Sequence, residues 1–132
     1  MPRRASSHPT EAELEVLNVL WRRGPSTVRE VHETLQADRR TGLTTTLKIL
    51  QVMTEKALTI RDGKSYPHRY SAALPAEKTQ AGLLEDLVQR AFDGSVRKLL
   101  VRAVEDGDLT AEDLREIREL VDDLRKDRRG EK

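Results

Sequence analysis

The side chains best suited to chemistry cluster between residues 44 and 51, where polar residues recur every three to four positions. They are Thr44, Thr45, Lys48 and Gln51. This spacing puts them on one face of a helix, with Leu47, Leu50 and Met53 on the opposite face. Hydroxyl, ammonium and amide groups can hydrogen-bond to phosphates and to base edges in a DNA major groove. The pattern therefore predicts a helix whose outer face contacts nucleic acid.

A predicted β-hairpin follows this helix and carries three cations, Arg61, Lys64 and Arg69. Residues 58–61 and 68–72 alternate between apolar and polar side chains, and Asp62-Gly63 is a turn pair. In this alternation we expect Leu58 and Ile60 to point one way and Thr59 and Arg61 the other. A hairpin placed after two helices and a turn can reach the DNA backbone beside the second helix.

No residue pattern supports catalysis or metal binding. Gly63-Lys64-Ser65 resembles the end of a phosphate-binding loop, but the glycine required five positions earlier is Leu58. The histidines His8, His32 and His68 do not have the spacing of zinc ligands. The absence of cysteine excludes thiolate metal sites and a cysteine nucleophile. We therefore expect no enzymatic activity, no cofactor and no bound metal.

Two capping boxes mark the helices that must position the polar face. Thr10 and Glu13 form the first box and predict the start of helix 1, which ends at Gly24-Pro25. Thr27 and Glu30 form the second box and predict the start of helix 2. In each box the threonine hydroxyl accepts a backbone N–H three residues on, and the glutamate accepts the threonine N–H.

The remaining boundaries complete an N-terminal domain. Helix 2 is expected to stop near Ala37, and residues 38–42 form a polar connection to the helix that carries the polar face. This third helix is expected to end around Lys56 or Ala57, before the hairpin. The order of helix, turn, helix and hairpin is that of a winged helix-turn-helix domain, which we assign to residues 1–75.

Residues 76–132 differ from the first 75 in charge and in pattern. The first part has 12 basic and 8 acidic residues, a net charge of +4, and the second part has 12 basic and 15 acidic residues, a net charge of −3. Apolar residues recur there at helical spacing, notably Leu83, Leu87, Phe92, Leu114, Ile117, Val121 and Leu124. The last four follow a 3, 4, 3 spacing that is typical of helix–helix packing. An acidic, leucine-rich helical domain is expected to contact protein rather than DNA.

The composition indicates a soluble protein of a reducing compartment. With one Trp, one Phe and two Tyr, the core must be aliphatic, and helical spacing of its residues argues against an all-β fold. No cysteine is present, and no segment approaches the roughly 18 apolar residues of a membrane span. We therefore expect a cytoplasmic protein without membrane insertion.

Five segments carry a resemblance to a known family when they are taken in order. They are EAELEVLNVLWRRGPSTVREVHETL, GLTTTLKILQVMTEKAL, HRYSA, FDGSVRKLLVRAVED and LTAEDLREIRELVDDL. Over about residues 10 to 125 the chain resembles the BlaI/MecI penicillinase-repressor family. The resemblance implies a mainly α fold, with a winged helix-turn-helix domain followed by a three-helix dimerisation domain at residues 76–132.

The resemblance also implies a function. The expected protein is a homodimer that binds a double-stranded operator with two half-sites and represses a gene. Thr44, Thr45 and Lys48 match recognition-helix contacts of the family, and Arg61 matches a basic wing residue. The three helices predicted in residues 76–132, which we number 4 to 6, would join the subunits, so the seven apolar residues above are the expected dimer contacts. In β-lactam-responsive members a sensor-triggered protease cuts helix 5, and the corresponding pair here is Arg102-Ala103, which adds a membrane sensor protease as an expected partner.

The residue pattern alone leaves one alternative open. A three-helix domain with a solvated polar face can serve as a protein-interaction module that never contacts DNA. The two functions differ in their response to salt, because binding to DNA releases counterions and weakens steeply as the salt concentration rises.

Overall fold

The computed structural model of the chain describes residues 8–35, 42–64, 66–107 and 109–130. Within these residues the fold is mainly α with three short strands, which confirms the predicted fold class. The helices are α1 (Glu11–Arg23), α2 (Val28–Leu35), α3 (Leu43–Glu55), α4 (Ala76–Ala91), α5 (Val96–Glu105) and α6 (Ala111–Gly130). The strands are β1 (Ser26–Thr27), β2 (Thr59–Asp62) and β3 (Arg69–Ala72). Residues 38–41 of the predicted polar connection, and the predicted helix end near Ala37, lie outside the described residues.

Both predicted capping boxes are present. Glu13 N–H donates to Thr10 Oγ1 at 3.2 Å, and Thr10 N–H donates to Glu13 Oε1 at 2.9 Å. In the second box Glu30 N–H donates to Thr27 Oγ1 at 3.1 Å, and Thr27 N–H donates to Glu30 Oε1 at 3.0 Å. Gly24 caps the C-terminal end of α1 with a φ of 85°, a positive value that glycine adopts at little cost.

The core lies between α1, α2, α3 and the sheet. Its buried apolar side chains are Val16, Leu17, Val19, Leu20, Val31, Leu50, Met53 and Tyr70. Burial of one such side chain contributes about 1.5–3 kcal/mol, so these contacts are the main force that holds α3 in place. The predicted inward positions Leu50 and Met53 are fully buried, and Leu47 is half-buried.

The three strands form an antiparallel sheet in the order β1-β3-β2. Strands β2 and β3 are the predicted hairpin, with Arg61 opposite Tyr70. Strand β1 was not predicted; it pairs with β3 through Ser26 opposite Tyr70 and Thr27 opposite Arg69. The sheet therefore ties the hairpin to the residues that begin α2.

The first hairpin strand buries a threonine and exposes an isoleucine. Ile60 is 56% exposed, whereas Thr59 is buried. The hydroxyl groups of Thr59 and Thr54 lie 2.9 Å apart, and Thr54 also donates to the Leu50 carbonyl, so the buried threonine has a hydrogen-bond partner. Burial of a hydroxyl group that has a hydrogen-bond partner costs little free energy, so a polar residue can occupy the buried side of this strand.

Internal contacts divide the chain into two compact units, with the boundary between Glu85 and Asp86, inside α4. The predicted domain boundary at residue 75 stays a prediction. In the second unit Ser95 caps α5 by accepting from Lys98 N–H at 3.1 Å. Thr110 and Asp113 form a third capping box, which begins α6.

The second unit buries little of its apolar surface. Among its described residues, Val88 is the one apolar side chain that is buried. Leu87, Leu114, Ile117, Val121 and Leu124 are between 41% and 55% exposed. The described helices include none with the length and apolar character that a membrane crossing requires.

Candidate nucleic-acid interface

Helix α3 presents the four polar residues that the sequence singled out. Thr44, Thr45, Lys48 and Gln51 are all exposed, while Thr46, Leu50 and Met53 are buried on the other side of the helix. The buried face anchors α3 in the core and leaves a row of hydroxyl, ammonium and amide groups toward solvent. Their role in DNA binding stays a prediction.

Two polar contacts fix α3 in addition to the core. Lys56, at the C-terminal end of the helix, donates from Nζ to Glu13 Oε2 at 2.9 Å. Near the other end, Thr46 Oγ1 lies 3.0 Å from His32 Nδ1 of α2. Each end of α3 is therefore joined to a different helix, which restricts both its tilt and its rotation.

The carboxylate of Glu13 is unusual because it is ionised and only 5% exposed. Burial alone would raise its pKa, but the hydrogen bond from Lys56, the backbone N–H of Thr10 and the charge of Lys56 together lower the pKa below its ordinary value. The Glu13 side chain thus completes the capping box of α1 and also binds Lys56 at the C-terminal end of α3.

Two hollows border the exposed face of α3. A largely apolar groove of about 320 Å³ lies against the first turn of α1, and its lining includes Thr44, Thr45 and Lys48. A polar hollow of about 550 Å³ lies toward the hairpin and is lined by Gln51, Thr54, Glu55, Arg61 and Tyr70. The second hollow brings Gln51 and Arg61 to one surface, as an interface shared by helix and hairpin requires.

The other two predicted cations of the hairpin have different surroundings. Lys64 is exposed at the turn, where its backbone N–H donates to Asp62 Oδ1 at 3.0 Å. Arg69 lies on β3, and its guanidinium is 3.6 Å from Glu30 Oε1. Arg69 is therefore an ion-pair partner in this structure, whereas Lys64 is an exposed lysine near the tip of the hairpin.

A profile of the penicillinase repressor family matches residues 9–123, which include the interface and most of the second unit. The chain belongs to the penicillinase repressor family. Two relatives named transcriptional regulator BlaI, from the CDC 1551 / Oshkosh and the ATCC 25618 / H37Rv strains of Mycobacterium tuberculosis, are each 37% identical over 97 residues. The aligned part covers 72% of this chain and 70% of each relative. These comparisons confirm the resemblance to the BlaI/MecI family that the sequence segments showed, and they identify the chain as a transcriptional regulator.

Two features of the hairpin and its surroundings were not predicted from the sequence. Tyr66, at the tip of the hairpin, is 90% exposed and packs edge-on against His68, with ring centroids 5.6 Å apart. Its position beside Pro67, in a chain with few aromatic residues, could have marked Tyr66 as a candidate functional residue. Glu30 was predicted only as a capping residue, and its ion pair with Arg69 depends on the unpredicted strand β1.

The residues predicted for dimerisation and cleavage fall mostly on exposed helix faces. Leu83 and Phe92 are half-buried, and the other five predicted dimer contacts are exposed. The expected cleavage pair lies inside α5, where Arg102 donates to Glu105 at 2.7 Å and Ala103 is half-buried. Both roles stay predictions for this member of the family.

Proposed function

We propose that the chain represses transcription as a homodimer that binds a double-stranded operator with two half-sites. The observation that carries this proposal is the exposed row of hydrogen-bonding side chains on α3, a helix whose other face is fixed in the core. Membership of the penicillinase repressor family supports the repressor function.

In this proposal α3 enters the major groove. Thr44, Thr45 and Lys48 occupy its N-terminal half, the part of a recognition helix that contacts base edges and flanking phosphates. Gln51, one turn later, shares a surface with Arg61 of β2, so the hairpin would contact the backbone beside the same groove. Lys64 extends this row of donors toward the tip of the hairpin.

The second unit supports the proposal of a homodimer. A chain that leaves five apolar side chains of α4 and α6 about half exposed, at the spacing of a helical seam, needs another surface to cover them. A second copy supplies the same apolar seam, and an interface between identical copies is the commonest solution among soluble oligomers. Two copies would present two α3 helices, one for each half-site.

Replacement of Lys48 tests the proposal. Lys48→Ala should weaken binding to a duplex from the promoter of its own gene by about 1–3 kcal/mol per half-site, because one charged contact is lost. Fluorescence anisotropy titration measures the affinity, and circular dichroism checks the fold. Lys78→Ala, an exposed lysine of α4, is the matched control and should bind like the wild type.

The wild-type protein provides a second test in the same assay. The logarithm of its affinity should fall steeply with the logarithm of the salt concentration, with about 6–10 phosphate contacts in the dimer. Affinity that does not change with salt would reject DNA binding and favour a protein-interaction module.

A further inference from the structure

One carboxylate oxygen connects three separate elements of the first unit. Glu30 Oε1 accepts the Thr27 N–H at 3.0 Å, lies 3.8 Å from a guanidinium nitrogen of Arg23, and lies 3.6 Å from a guanidinium nitrogen of Arg69. Arg23 ends α1, Glu30 is in the first turns of α2, and Arg69 is on β3 of the hairpin. We call Arg23, Glu30 and Arg69 the Glu30 cluster.

The members of the Glu30 cluster are accessible to an approaching ligand. The side chains of Arg23 and Arg69 are 45% and 48% exposed, and that of Glu30 is 37% exposed. The backbone N–H of Thr27 and the two guanidinium charges lower the pKa of Glu30, so its carboxylate is ionised at neutral pH. The cluster therefore has two positive charges and one negative charge, and the negative charge lies between the two cations.

The two ion pairs leave hydrogen-bonding capacity of the guanidinium groups unused. Their separations of 3.6 and 3.8 Å exceed the roughly 2.7–2.9 Å of a strong charge-assisted hydrogen bond. Exposed ion pairs of this kind are weak, because water and salt screen the two charges. A phosphate diester can bind a guanidinium in a bidentate way, so it can compete with Glu30 for both arginines.

The cluster also lies where a DNA backbone is expected. In helix-turn-helix complexes the first helix of the motif crosses the backbone while the second lies in the major groove. Here α2 is the first helix of the motif, and Arg69 belongs to β3, the hairpin strand that pairs with β2, where it lies opposite Asp62.

We propose that Glu30 restrains DNA binding by holding Arg23 and Arg69, two backbone-phosphate contacts that become fully available when a phosphate displaces its carboxylate. The inference rests on the proposed function and deepens it. Arg69 keeps the DNA contact predicted for it, Arg23 is an additional contact, and Glu30 is a positioning residue that sets the strength of both.

Glu30→Gln is the direct test, because the amide oxygen can still accept the Thr27 N–H while the negative charge is lost. We expect this variant to bind a fluorescein-labelled duplex of unrelated sequence about three- to tenfold more tightly than the wild type. The slope of log affinity against log salt should steepen by roughly one to two per half-site. The duplex from its own promoter should show a change in the same direction.

Two further variants separate the cluster from a general effect of charge. Glu33→Gln, an exposed position of α2, makes the same change in net charge outside the cluster and should alter affinity less than twofold. In a chain that already carries Arg23→Ala and Arg69→Ala, Glu30→Gln should have no further effect. Thermal unfolding of each variant checks that the fold is retained.

The outcomes distinguish this inference from the proposed function. If wild-type protein binds DNA with a steep salt dependence but Glu30→Gln binds equally or more weakly, Glu30 only holds the hairpin in place and the inference is wrong. The same conclusion follows if Glu33→Gln tightens binding as much as Glu30→Gln. If the wild type does not bind either duplex, the proposed function fails together with the inference.

Discussion

Both units of the chain carry apolar residues at helical spacing, but the first unit buries them and the second leaves many of them about half exposed. In the first unit α1, α2, α3 and the sheet close on one another, and residues such as Leu50 and Met53 are fully buried. In the second unit the apolar residues of α6 stay about half exposed, although their 3, 4, 3 spacing is more regular. Regular spacing therefore indicates that a face will be covered, but it does not indicate which chain provides the cover.

The largest expected effect tests whether a second copy covers α6. Ile117→Asp places a charge in the apolar seam once in each subunit, and desolvation of that charge costs several kcal/mol. We expect the dissociation constant of the dimer to rise by at least about a thousandfold. Sedimentation velocity at micromolar protein measures the change.

The control for this variant is Arg118→Asp, which adds the same aspartate at the neighbouring exposed position of α6. It should remain dimeric. If Ile117→Asp also sediments as a dimer, α6 does not contribute to the interface between subunits, and the comparison of the two units needs a different explanation.

The next effect tests whether the first unit is closed by its own core. Leu50→Ala removes a fully buried side chain and should reduce the free energy of unfolding by about 2–5 kcal/mol, through lost burial and the cavity that remains. Urea unfolding monitored by circular dichroism gives the value. Leu43→Ala, an exposed leucine of the same helix, should cost less than about 1 kcal/mol. Equal losses for the two variants would contradict a core centred on Leu50.

A smaller effect concerns the buried ion pair of the first unit. Folding lowers the pKa of Glu13 below its ordinary value of 4.5, so its stabilising contribution is complete above that pH and is lost as the pH falls through the lowered value. At neutral pH Glu13→Gln should cost about 1–2 kcal/mol, since Lys56 remains partly solvated. The difference from wild type should shrink below about pH 4.5.

Urea unfolding at a series of pH values measures this difference. Glu11→Gln, an exposed carboxylate of the same turn, controls for the loss of a negative charge. A difference between Glu13→Gln and wild type that stays constant from pH 7 to pH 3 would show that the Glu13 carboxylate contributes no pH-dependent stability.

Local features of the fold could be predicted from sequence because they depend on neighbouring residues. The box of Thr10 with Glu13 and that of Thr27 with Glu30 join residues three positions apart, and both formed. Strand β1 could not be predicted, because a strand of two residues has no alternation to detect. The buried side of β2 could not be predicted, because alternation gives two faces but not which one is buried, and the hydroxyl of Thr54 favoured Thr59.

The candidate site likewise has features that could be predicted from the sequence and features that could not. The exposed face of α3 could be predicted, since it depends only on helical periodicity within residues 44–51. The pair of Glu30 with Arg69 could not, because it joins residues far apart in sequence through the register of β1 and β3. The contact between Glu13 and Lys56 likewise depends on the packing of α1 against α3.

The side chain of Trp21 gives the protein an optical label for one of its two units. Its indole N–H donates to the Leu74 carbonyl at 3.0 Å, a bond that joins the end of α1 to the segment after the sheet. The sole tryptophan and both tyrosines, Tyr66 and Tyr70, belong to the first unit, so the second unit contains no strong near-ultraviolet chromophore. Fluorescence emission therefore reports on the first unit alone, and a comparison with far-ultraviolet circular dichroism shows directly whether the two units unfold together.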